Sequence, residues 1–85
     1  MKQFSYVMTY PSGLHVRPTT ALMREASRFS SAVCIGRGET EVHLSDMKGV
    51  LALHIRCGDT VRVTVEGRDE EAAVAAIQNY FVSNL

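Results

Sequence analysis

The chain has 85 residues, 46% of them hydrophobic and 21% charged, enough for one small domain over residues 1–85 and too few for two independent cores. Nine Lys plus Arg balance nine Asp plus Glu, so no overall field draws the chain to nucleic acid or to an anionic membrane. No apolar run approaches the ~18 residues of a membrane span and the N-terminus lacks the apolar stretch of a signal peptide, so the expectation is a cytoplasmic protein with no membrane insertion.

Phe4, Tyr6 and Met8 alternate with Ser5, Val7 and Thr9, the period of a strand with one buried face, and Pro11-Ser12-Gly13 ends it. From Val16 to about Phe29, Leu22, Ala26 and Phe29 recur at helical steps with Arg24, Glu25 and Arg28 on the other side. Pro18 is tolerable only in the first turn, which puts the helix start close to His15 or Val16. Val33 and Ile35 mark a second strand, Arg37-Gly38-Glu39-Thr40 a tight turn, and Glu41 to Leu44 a short third strand.

Asp46 suits the cap of a short helix over Met47 to Leu53, weakened by Gly49 and closed before Gly58. Val61, Val63 and Val65 alternate with Arg62, Thr64 and Glu66 as the clearest strand. Asp69 then stands where a cap would open the last helix, with Glu70 and Glu71 in its first turn and Ala73, Ile77 and Phe81, beside Val74, facing the core. Four strands with one apolar face each and three helices predict an α+β fold, an open-faced β-sandwich with the helices on one side of a mostly antiparallel sheet.

Gly13-Leu14-His15-Val16-Arg17-Pro18 carries the chemistry. It puts an imidazole, a guanidinium and a helix start within a few residues, and a helix N-terminus offers unpaired N–H groups and the positive end of a dipole to an anion. Histidine is the side chain that is a neutral nucleophile at cellular pH, and the dipole disfavours the imidazolium. The amides of Val16 and Arg17, with the Arg17 guanidinium, are placed to hold phosphoryl oxygens, and the planar fork of arginine orients them as a lysine would not.

This stretch resembles the active-site motif of the histidine-containing phosphocarrier protein (HPr) family of the bacterial sugar phosphotransferase system. Ala26 and Phe29, Gly49-Val50 and Leu53, Gly58, and Gly67-Arg68-Asp69-Glu70-Glu71-Ala72-Ala73 extend the resemblance along the chain. It implies strand order 1-4-2-3 and a phosphoryl relay. His15 would accept a phosphoryl group on Nδ1 from enzyme I, which took it from phosphoenolpyruvate, and pass it to a sugar-specific enzyme IIA. It also implies a carrier and not an enzyme, with no cofactor, and a monomer is expected.

The chain departs from the family at the second helix. Where many members, especially in Gram-positive bacteria, carry a regulatory serine, here stands Asp46, read either as a plain N-cap or as a fixed charge that partly imitates a phosphoserine. Ser45 lies one position off that register. Lys48 takes the place of a usual hydrophobic residue on the surface that docks enzyme I and enzyme IIA, where Thr20, Met47 and Leu51 are the other expected interface residues, with Met47 at the surface and Val50 in the core. These departures motivate the alternative of a specialised paralogue, in a regulatory relay or acting as an interaction module, with a transcriptional regulator as a further candidate partner.

His43 reads as solvent-facing, and His54, where the family commonly has a small residue, as a helix C-terminal position without a functional account. Cys34 and Cys57 are expected to be free and partly buried, and the scattered histidines and cysteines make no zinc pattern. A nucleic-acid-binding domain would need basic residues and exposed aromatics on the sheet, and a hydrolase would need a second catalytic group near His15.

Overall fold

The computed structural model describes residues 1–85. Alternation of branched and polar residues builds strands β1 (Lys2–Val7), β2 (Ala32–Arg37), β3 (Thr40–His43) and β4 (Thr60–Glu66), and helical periodicity builds α1 (Val16–Ala26), α2 (Met47–Ala52) and α3 (Glu70–Asn84). The sheet is antiparallel in the order β1-β4-β2-β3, as expected. Phe4 and Ile35 both pair with Val63, so one pleat of three neighbouring strands faces the helices.

Val61, Val63 and Val65 are fully buried on that face, while Arg62 and Thr64 lie on the open side. Ala73, Ile77 and Phe81 of α3 pack over them, and Leu22 of α1 and Val50 of α2 join the same cluster. Phe81 is its centre: the rings of Phe4 and Tyr6 meet it edge-on at 5.6 and 5.3 Å between centroids. Both strand aromatics therefore face the helices, which leaves the open side of the sheet without the exposed aromatics a nucleic-acid surface requires.

Element ends differ from the sequence expectation in physical ways. β1 stops at Val7, yet Met8 is buried, because its N–H turns to the Asp59 carbonyl at 2.9 Å. β3 begins at Thr40 and ends at His43, with Leu44 bonded back to the Val33 carbonyl just beyond it. α1 ends at Ala26 and not near Phe29: the N–H groups of Arg28 and Phe29 reach back three residues, a tightened last turn. α2 stops at Ala52, leaving Leu53 as its C-cap.

The largest correction concerns Asp69. It stands at the N-cap of α3, but its side chain makes no capping bond. Instead its carboxylate accepts the N–H groups of Ser30 and Ser31, at 2.9 and 3.0 Å, and the Ser31 hydroxyl, tying the α1–β2 turn to the start of α3. Those bonds, the Ser31 hydroxyl first, hold the Asp69 carboxyl below the usual aspartate range. Glu70 closes the helix start in its place by accepting the Gly67 N–H. Glu70 also accepts the N-terminal ammonium of Met1 at 2.7 Å, which pulls its own carboxyl below the usual glutamate range.

No helix is long and apolar enough to cross a membrane. Cys34 and Cys57 are free thiols, the first half-buried and the second exposed, so only Cys34 has the partial burial expected of both. Burial, then the carboxylates of Glu41 and Glu66, push the Cys34 thiol up, which disfavours its thiolate.

Candidate functional site

His15 is the N-cap of α1, with φ −98° and ψ −167°, where the helix start was expected. Its ring is exposed and makes no capping bond, although the position ordinarily uses its side chain for one. The N–H groups of Val16 and Arg17 have no partner within the chain, Pro18 has none to offer, and the Thr19 N–H is already bonded to the His15 carbonyl at 3.0 Å. Two backbone donors therefore open beside one imidazole. Arg17 is exposed and forms no ion pair, so its guanidinium is available to the same anion.

The loop that presents His15 is fastened from below. Gly13 has φ +70°, and a Cβ there would run into the Ile55 carbonyl and come within 2.9 Å of the Arg56 Cα, so only glycine fits. Its N–H donates to the Tyr10 carbonyl, and the Leu14 N–H donates to the Ile55 carbonyl, each at 2.9 Å. The Tyr10 ring sits 6.0 Å from the His15 ring, tilted by 56°. Tyr10, Ile55 and Arg56 thus belong to the site, and sequence reasoning missed them. Tyr10 stands four residues before Leu14, and the other two reach the loop across some forty residues of chain, where no spacing rule operates.

The other expected site residues line the flank of α1 and α2. Thr20 is exposed, its hydroxyl donating to the Val16 carbonyl at 2.8 Å. Lys48 is exposed without an ion pair, Met47 and Leu51 are half-buried, and Val50 is core. A groove of about 560 Å3 runs between Thr20 and Met23 of α1 and Leu44 and Met47 beyond β3. Asp46 caps α2 in fact: its Oδ1 accepts the Gly49 N–H at 3.1 Å.

His43 is exposed as expected, and its Nδ1 accepts from the Ser45 N–H at 3.3 Å and lies 2.8 Å from the Ser45 hydroxyl. His54 follows the α2 C-cap in the left-handed region at φ +51°, the one residue other than glycine there. No cluster of three or more potential metal ligands occurs.

The family model for the phosphotransferase system HPr component phosphorylation site matches residues 2–83. The chain belongs to the HPr family. It is similar to the phosphocarrier protein HPr of Mycoplasma capricolum subsp. capricolum, 34% identical over 82 residues covering 96% of this chain and 92% of the relative. Against the HPr of Treponema pallidum the identity is 37%, over 82% of this chain and 80% of that one. Among solved structures, the crystal structure of HPr-C-His from Thermoanaerobacter tengcongensis superposes with a TM-score of 0.91 at 30% identity, covering 98% of this chain and 93% of the other.

As an HPr-family protein the chain is a phosphocarrier of the phosphotransferase system, a bearer of phosphoryl groups and not a catalyst, and enzyme I and enzyme IIA are its partner class. The fold agrees with this throughout, in strand order, in helix placement and in the helix start that carries the histidine.

Proposed function

We propose that His15 is the phosphoryl acceptor, taking the group on Nδ1 from phosphorylated enzyme I and passing it to a sugar-specific enzyme IIA. The observation that carries this reading is the exposed, uncapped His15 ring beside the unbonded N–H groups of Val16 and Arg17. In the transfer the N–P bond of the donor breaks as a bond from His15 to phosphorus forms, and no atom changes oxidation state. The charge to be managed sits on the phosphoryl oxygens, so the carrier's part in the transfer reduces to position and electrostatics. The two amides, fixed by the helix start, and the exposed Arg17 guanidinium offer three donor groups to those oxygens.

Partner choice falls to the flank of α1 and α2. Thr20 and Met47 line the groove together with Met23 and Arg24, and Lys48 and Leu51 follow Met47 on α2, so a partly apolar surface carries two cations, Arg24 and Lys48, that form no ion pair. Such a surface suits a partner that offers apolar side chains ringed by carboxylates, and Lys48 tunes which partner fits. Asp46 contributes through its cap, so the carrier reading needs no regulatory role for it.

Incubation with phosphoenolpyruvate and enzyme I tests the assignment. The expected product is an acid-labile, base-stable phosphoryl adduct on His15, absent from His15→Ala. Labelling of that variant at the wild-type rate overturns the reading.

A further inference from the structure

We propose that Arg37 is a positioning residue for phosphoryl transfer, acting through the segment from Leu53 to Asp59 on which the His15 loop rests; this inference builds on the reading of His15 as acceptor. Arg37 ends β2, far from His15 in sequence, and its guanidinium spans both ends of that segment. Nη1 donates to the Leu53 carbonyl at 2.8 Å, and Nε lies 3.3 Å from Asp59 Oδ2. The same Asp59 oxygen accepts the Arg56 N–H at 2.9 Å, so the cation, the carboxylate and the turn form one unit.

What lies between those two anchors is the floor of the site. His54 holds a left-handed conformation that a side chain disfavours, and such a residue persists only where its surroundings over-determine it. Arg37 supplies that restraint directly, by bonding the carbonyl of the preceding residue. The next carbonyl, Ile55, receives the Leu14 N–H, and the Arg56 backbone abuts Gly13. A shift of the floor therefore moves Gly13, Leu14 and the two open amides of Val16 and Arg17. Arginine suits the task because two separate nitrogens serve two acceptors, which one ammonium group does not reproduce.

The test uses Arg37→Ala, Arg37→Lys, and Arg37→Ala combined with His54→Gly. Two readouts are needed: the backbone amide resonances of Leu14, Val16 and Arg17, and the kinetics of phosphorylation by enzyme I with the carrier as varied substrate. Arg37→Ala is expected to displace those resonances and to lower kcat about tenfold, with KM moving less than about twofold. Arg37→Lys falls between it and the wild type. His54→Gly restores part of the lost rate in the alanine background, because glycine takes the left-handed conformation without a clamp.

Wild-type rates with unmoved resonances in Arg37→Ala overturn the proposal, and so does a loss of rate with those resonances unmoved. Where thermal denaturation shows Arg37→Ala to be unfolded, Arg37→Lys is judged by the same two criteria. A wild-type chain that enzyme I does not phosphorylate overturns the His15 reading and with it the role of Arg37 in transfer, while the resonances still decide whether Arg37 sets the loop.

Discussion

Arg17 is the residue at which charge and geometry can be separated. A lysine keeps the charge but loses the fork, so Arg17→Lys is expected to slow phosphoryl transfer about tenfold and Arg17→Ala further, measured as initial rates with enzyme I. Thr19 offers an opposite effect. It is fully buried and its hydroxyl has no partner, so Thr19→Val removes an unsatisfied group while keeping the shape. The expected gain is about 1 kcal/mol in urea denaturation, with transfer rates unchanged. His15, Val16 and Arg17 could be put forward together from the sequence because the chemistry proposed for them depends on neighbours in the chain. Ile55 and Arg56 were not, because they act through backbone atoms that any residue carries.

Elements are joined here by side chains that a local reading assigns elsewhere. Asp69 has the position of a cap, and the pattern Asp-Glu-Glu ahead of an apolar stripe supports that role. The structure turns its carboxylate to Ser30 and Ser31, thirty-nine and thirty-eight residues away, which no window of sequence displays. The consequence is a stability that depends on acid. The folded-state value of Asp69 lies below its ordinary 3.8, so its contribution is complete above that pH and is lost as pH falls through the lowered folded value.

Glu70 behaves in the same sense through the N-terminal ammonium. Thermal melts from about pH 5 to about pH 2 are expected to show a falling Tm that is flatter in Asp69→Asn. Asp46 is the contrasting case, where the local reading holds. Asp46→Ala should cost about 1 kcal/mol by removing the bond to Gly49, and Asp46→Ser, another good cap, much less. Phosphorylation of Asp46→Ser at the wild-type rate is expected, and a faster rate would instead favour the charge-mimic role.

At the scale of the whole molecule, stability rests on few contacts. A chain of this size holds about 5–15 kcal/mol in total, near the lower end for small cores. Phe81 sits fully buried between α3 and both inward aromatics of β1. Phe81→Ala is expected to cost about 3–5 kcal/mol, read from the urea midpoint, and to leave a chain partly unfolded at ambient temperature. The core face of each element could be anticipated because every strand alternates and α3 repeats Ala73, Ile77 and Phe81, whereas the strand order followed only from the family resemblance. The tight turn from Arg37 to Thr40 was legible too, but the reach of the Arg37 side chain to Leu53 and Asp59 and the left-handed His54 were not, since both depend on how distant turns meet once the sheet has closed.

A helix whose first side chain declines to cap it is less stable than it could be, and Pro18 narrows the chance of a cap. The usual donor to a capping side chain is the N–H two or three residues inside the helix, and proline at the third position has removed one of the two. A ring nitrogen engaged by that N–H would have its lone pair spoken for; here the lone pair stays in solvent. On the proposed role of His15, the shortfall in helix stability and the availability of its ring are one property seen from two sides. Repairing the helix would slow the courier.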